Sequence, residues 1–176
     1  QSQRAGILKP EEGQTIVLQR LAGLNKQLLE AENQRKNAEA EYRAVEASPE
    51  RLKSRVEEQM AQFVTIRENE ITKLVNDNQK QIADLKVSRA RLAVEFQDGA
   101  DEIVEIDKQI QTRENEIAKV RESNQKALEE FRARTAKVII ENLRTRYLQA
   151  KDQEDKIKAD FDVQKSEARG EDLSAI

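Results

Sequence analysis

The chain has 176 residues, of which 37% are charged and 3% aromatic, with no histidine, cysteine or tryptophan; 31 basic and 34 acidic residues leave a net charge of −3. So few large apolar side chains argue against a compact globular core. The missing His and Cys remove the usual metal ligands and nucleophile–base pairs. Ala, Glu, Lys, Leu, Arg and Gln dominate and are strong helix formers, and the apolar residues keep a spacing that disordered chains lack. Long helices are expected.

Residues 1–9 carry no repeat and read as a lead-in linker. A first helix is expected over about 10–47, with proline in its first turn and Glu11 and Glu12 facing the positive end of the helix dipole. Val17, Leu21, Leu24, Leu28, Ala31, Arg35, Ala38, Tyr42 and Val45 alternate four and three apart, which is the seam of a coiled coil with one polar intrusion. Arg35 either sets the register of that seam or lets its charge snorkel out of a loosely packed one.

The stretch ASPER at 47–51 breaks the pattern. Ser48 suits an N-cap and Pro49 a first helical residue, so a kink or break is expected there. A second helix follows over about 49–96, with Leu52, Val56, Met60, Phe63, Ile71, Leu74, Ile82, Leu85, Leu92 and Phe96 on a drifting seam diluted by Asn76, Asn78 and Gln81.

Asp98-Gly99 then interrupts a long stretch with hardly a helix breaker. Glycine there would provide a left-handed helix end, and Asp101 would cap the next helix. That helix, about 101–169, shows Ile103, Ile106, Ile110, Arg113, Ile117, Val120, Asn124, Ala127 and Phe131 at heptad spacing. Its seam shifts around Val138-Ile139-Ile140 and resumes as Leu143, Tyr147, Ala150, Glu154, Ile157, Phe161 and Gln164. Residues 170–176 read as a C-terminal linker.

The pattern implies an all-α fold, a long antiparallel coiled-coil hairpin with its turn near Gly99. With the turn centred there, Phe63 is expected opposite roughly residue 134. The first helix either continues the second and pairs with 140–164, or folds back at Pro49 into a three-helix bundle. The turn residues Gln97, Asp98, Gly99, Ala100 and Asp101 are candidates for docking a partner.

Function classes narrow accordingly. Acid–base work by carboxylates needs a partly dry pocket, which two paired helices do not offer, and no glycine-rich phosphate loop is present. No enzyme activity, cofactor or metal is expected of this chain. Basic clusters such as Arg132-Arg134-Lys137 are interspersed with acids, so no nucleic-acid groove is expected. No apolar run is long enough to span a membrane. The chain opens on Gln1 and is expected to be an excised or processed segment of a longer protein.

Three stretches carry a family resemblance. RAGILKPEEGQTIVLQRLAGLNKQLLEAENQRKNAEAEYRAV at 4–45 resembles the periplasmic segment of bacterial polysaccharide co-polymerases, the exopolysaccharide chain-length determinants of the Wzz/Wzc/GumC-like group. Their Gly-Ile lead-in, acidic-Gln helix start, Leu-x-x-Leu-Asn and Arg-x-x-Ala-Glu-x-x-Tyr-Arg correspond to Gly6-Ile7, Glu11 to Gln14, Leu21 to Asn25 and Arg35 to Arg43. LKVSRARLAVEFQDGADEIVEIDKQI at 85–110 is similar around Phe96, Asp98 and Ile103, although Ala100-Asp101 stands where the family has His-Pro. Residues 139–176 look like its outgoing helix.

The resemblance implies a periplasmic region of an inner-membrane protein, anchored by flanking transmembrane segments outside this chain. It implies homo-oligomers, rings in the full-length protein, working with a polysaccharide polymerase and an outer-membrane export protein. Some members carry a tyrosine kinase domain, which would also lie outside. Two other readings stay open from the residues: the helical hairpin of a secretion or efflux adaptor, and a cytosolic coiled-coil tether.

Overall fold

The computed structural model describes residues 10–174; the lead-in expected at 1–9 lies outside them. The described chain is all-α, with α1 at Pro10–Ala47, α2 at Pro49–Leu92 and α3 at Asp101–Ser174. The break between α1 and α2 is one residue wide and has a local cause. Ser48 Oγ accepts from the Arg51 N–H at 3.3 Å and its carbonyl accepts from the Leu52 N–H at 3.2 Å. Ser48 is therefore an N-cap, and Pro49 takes the first helical position, where its missing N–H costs nothing.

α2 ends at Leu92 rather than at 96. Its end tightens, with the Val94 N–H donating to the Arg91 carbonyl and the Glu95 N–H to the Leu92 carbonyl, at 3.3 and 3.0 Å. These i→i+3 bonds satisfy carbonyls that a left-handed residue would otherwise serve. A turn follows in which the Ala100 N–H donates to the Gln97 carbonyl at 2.9 Å, with Asp98 and Gly99 at its centre. Gly99 is not in the left-handed region, so the expected left-handed cap is absent. The Val104 N–H donates to the Ala100 carbonyl at 2.9 Å. Ala100 thus occupies the cap position, and Asp101 lies inside the first turn of α3 instead of capping it.

α3 runs past the expected end at 169, through Gly170 to Ser174. One glycine costs a helix only about 1 kcal/mol relative to alanine, too little to stop it. The linker expected at 170–176 is helical over 170–174, and its last two residues lie outside the described ones.

The chain divides into two units, residues 1–52 with 138–176 and residues 53–137. In the first, α1 pairs with the 138–174 part of α3. Tyr42 stacks on Tyr147 with ring centroids 6.0 Å apart, and Arg35 bonds Glu154. Seven residues down one helix correspond to seven up the other, so the pair is antiparallel. All nine expected α1 seam positions, Val17 to Val45, are buried or half-buried, with Ala31, Ala38 and Val45 the deepest.

In the second unit, α2 turns back through 93–100 and pairs antiparallel with the start of α3. Phe63 stacks on Phe131 at 4.3 Å, three residues short of the partner expected near 134, and Arg89 reaches Asp107. The α2 seam differs from its expected course. Leu74 lies 45% exposed, while Val75 and Asn78 are each 5% exposed. From Phe63 the covered positions run Arg67, Ile71, Val75, Asn78, Ile82, Leu85 and Arg89, so three steps of four precede the regular alternation. Such insertions locally unwind a coiled coil and carry the stripe past Leu74.

Met60 is wholly buried. Met60→Ala is expected to lower unfolding stability by about 2 kcal/mol, the low end for a buried Met because a two-helix seam can partly collapse. Leu74→Ala should stay within about 0.5 kcal/mol. Chemical denaturation followed by circular dichroism checks both.

Candidate functional site

Arg35 sits at a seam position of α1, where a side chain must point toward α3. Its Nε donates to Glu154 Oε2 at 2.7 Å, and its Nη1 donates to Glu39 Oε2 at 2.9 Å. Glu39 Oε1 accepts from Arg43 Nε at 2.9 Å. The three inner side chains are 16–25% exposed, so screening is partial. Donation to the Glu154 carboxylate, then to that of Glu39, raises the Arg35 guanidinium pKa above its ordinary value. The Glu39 carboxyl is lowered, chiefly by the Arg35 hydrogen bond. Both shifts favour the charged forms of Arg35 and Glu39. Of the two readings of Arg35, setting the register or snorkelling, this contact to the partner helix is what the first would require.

The flanks of the same pair carry matching charge. Glu32, Glu39 and Glu46 recur every seven residues on α1, and Arg144, Lys151 and Lys158 do so on α3. In the antiparallel alignment set by Arg35 and Glu154, these series lie along the same edge of the seam. On the other edge Arg146 Nη1 donates to Glu41 Oε2 at 3.4 Å. Between that ion pair and the small seam residues Ala38 and Ala150 lies an open groove of about 440 Å³, lined also by Gln34, Asn37, Gln149 and Gln153. It is open to solvent, with amide side chains beside the alanines, rather than a closed reaction chamber.

The five turn residues are brought together, but with little pre-formed chemistry. Gln97, Asp98 and Gly99 are exposed, Ala100 is half-buried, and Asp101 belongs to α3. A residue missed by sequence reasoning organises this end: Arg89 donates to Asp107 at 2.6 and 3.4 Å and to Asp98 at 3.5 Å. Its signal was available, because Arg89 falls four residues after Leu85 and three before Leu92 on the seam. Arg67 was missed in the same way. It donates to Asn124 Oδ1 at 2.8 Å and lies 5.6 Å from the Phe63 ring centre. Asn78 satisfies itself locally, with Nδ2 donating to the Leu74 carbonyl at 3.1 Å.

Among the described residues no group of three or more acidic, His or Cys side chains is arranged to hold a metal, and no helix is long and apolar enough to cross a membrane. No protein-family model matches this chain, and no curated protein or solved structure matches it.

Two expectations test these contacts. In a double-mutant cycle, Arg35→Met and Glu154→Gln should each lower the melting temperature, and the double variant should lose less than the two losses combined. Gly99 has open space around the position of a Cβ. Gly99→Ala should therefore fold normally and gain up to about 0.4–1 kcal/mol from a stiffer unfolded chain, read as an equal or higher melting temperature.

Proposed function

We propose that this chain is a non-catalytic coiled-coil arm that positions and assembles rather than transforms. The observation that carries the reading is how the apolar side chains are used. The buried ones line antiparallel helix seams, and the clefts beside those seams are open to solvent. Two helices in contact bury only one stripe each, so such an arm gains further stability and purpose from neighbours.

The setting rests on the sequence resemblance. In that setting the chain is the periplasmic coiled-coil region of an inner-membrane exopolysaccharide chain-length regulator or export protein. It packs beside copies of itself and contacts a polysaccharide polymerase and an outer-membrane export protein. The anchoring segments, and any tyrosine kinase, belong to parts of the protein outside this chain. Hydrogen-bonding clefts and evenly mixed charge suit contacts that form and dissolve during export cycles, whereas a large apolar surface would fuse them.

The test uses the full-length protein in its host. Met60→Lys places a charge in the α2–α3 seam and is expected to shift the length distribution of the exported polysaccharide on a gel, compared with the parent at matched protein level. Val87→Cys, at an exposed position in a chain without cysteine, is expected to react with a membrane-impermeant thiol reagent once the outer membrane is permeabilised. An unaltered polymer profile, or labelling only after the inner membrane is breached, overturns the export reading.

A further inference from the structure

Asp98 is the only aspartate or asparagine in the chain that precedes a glycine. It is also set apart in place. Among the described residues every other aspartate and asparagine lies within α1, α2 or α3. In a helix the next residue's N–H is engaged along the axis, and helical ψ keeps that nitrogen away from the side-chain carbon. Asp98 escapes both constraints. Its side chain is 89% exposed, and the hydrogen bond it accepts from Arg89 Nη2 is a marginal 3.5 Å. The turn is closed by the Ala100 N–H on the Gln97 carbonyl, without use of the Gly99 N–H. Gly99 has no Cβ and open space where one would stand, so its nitrogen is approached with no side chain in the way.

From this placement we infer that Asp98-Gly99 is a self-modifying site, at which the chain converts aspartate to isoaspartate. The Gly99 nitrogen attacks Asp98 Cγ and forms a new N–C bond. Its proton and the carboxyl hydroxyl leave together as water, which closes a cyclic imide. Water then adds back at one of the two imide carbonyls. Opening the bond to Cγ restores aspartate, and opening the bond to the main-chain carbonyl leaves isoaspartate. The chain then runs through the former side chain, and a free carboxylate stands on Cα. Net composition is unchanged, and water is the only co-reactant.

The consequence is confined to the turn. Isoaspartate adds one methylene to the backbone inside the loop that the Ala100–Gln97 hydrogen bond closes at 2.9 Å, so that bond no longer fits its ring. The contact of Arg89 with Asp98 is lost, whereas its 2.6 Å bond to Asp107 joins the two helices and holds. The pairing of α2 with α3 therefore survives, and the exposed face of residues 97–101 is what changes. Such a covalent change alters the surface a partner would meet at the turn. It is independent of the export setting proposed above.

The test incubates the purified full chain at neutral pH and physiological temperature, then digests it for mass spectrometry with electron-transfer fragmentation. Isoaspartate is expected to accumulate at Asp98, with the dehydrated imide detectable at the same residue. Labelled S-adenosylmethionine and an isoaspartyl-specific carboxyl methyltransferase should mark the aged chain and not the fresh one. Gly99→Ala should fold like the parent and accumulate isoaspartate severalfold more slowly. Asp98→Glu should lose the methyl label at the turn, because its longer arm closes the imide far less readily. Circular dichroism of the aged parent should match that of the fresh chain. An aged parent with no isoaspartate at Asp98 overturns the proposal, and so does formation as fast in Gly99→Ala or at the helical aspartates. Loss of helicity on ageing overturns the confinement to the turn.

Discussion

The contact between Arg35 and Glu154 is met in one alignment of α1 on α3, among several that the edge charges would accept. The edge charges do not make that choice. Glu32, Glu39 and Glu46 face Lys158, Lys151 and Arg144 in the observed register, yet a seven-residue slip in either direction still sets acid largely against base. Opposite charges every seventh residue fix orientation and flank, and they are blind to displacement by whole heptads. The seam is not blind. A slip would bring Arg35 opposite Phe161 or Tyr147 and leave Glu154 facing Tyr42 or Leu28, burying two charges against rings and alkyl chains. The stack of Tyr42 on Tyr147 would be lost in the same step. One polar pair in an apolar seam thus turns a periodic attraction into a unique fit.

The 53–137 unit reaches uniqueness by a different route. Its seam is interrupted by Arg67, Asn78, Asn124 and Arg89, and each polar group has a partner: Asn124 and Arg67 take each other, Asn78 takes its own helix, and Arg89 takes two aspartates. No buried side-chain polar atom among the described residues lacks a hydrogen bond. Such positions lower the apolar gain but make slipped pairings costlier still, since slippage would strand groups that are now satisfied. The stacked Phe63 and Phe131 join the buried Val56, Met60 and Ile103 as large apolar residues of this stretch, and Arg67 lies beside the Phe63 ring.

Legibility followed the strength of the period. On α1 nine positions, apolar except for Arg35, alternate four and three apart, and all nine are buried or half-buried. The α1 partner segment was readable for the same reason, because 143–164 also alternates without a break. On α2 the apolar pattern offers both Leu74 and Val75 at a junction where consecutive four-residue steps shift the stripe. Preference for the larger leucine placed the seam one residue off; of the polar residues expected to dilute it, Asn78 lies on it, whereas Asn76 and Gln81 are exposed. Arg67 and Arg89 were passed over because charge was equated with exposure, although a guanidinium with a carboxylate or amide in reach is at home on a seam. At the turn, glycine chemistry was a sound prior that the backbone did not need, because the end of α2 had already tightened through i→i+3 bonds before Gly99 was reached. The turn's exposed residues were legible as a group, whereas the arginine that braces them was not.

A chain in which charge and seam alignment are so closely specified leaves its outer faces as the place where function can reside. On the 138–170 part of α3 the outer positions are mostly charged, with Val138, Leu148 and Val163 the large apolar exceptions. On α1 between Ile16 and Leu29 apolar residues likewise spread beyond the seam, and Leu18 and Leu29 face solvent. The helix does not need them for its own formation, because glutamine or lysine would serve as well at exposed sites. Nor does α3 cover them, since they stand off the seam that α3 occupies. Apolar side chains that neither local structure nor the intrachain partner covers leave this face of α1 open to solvent.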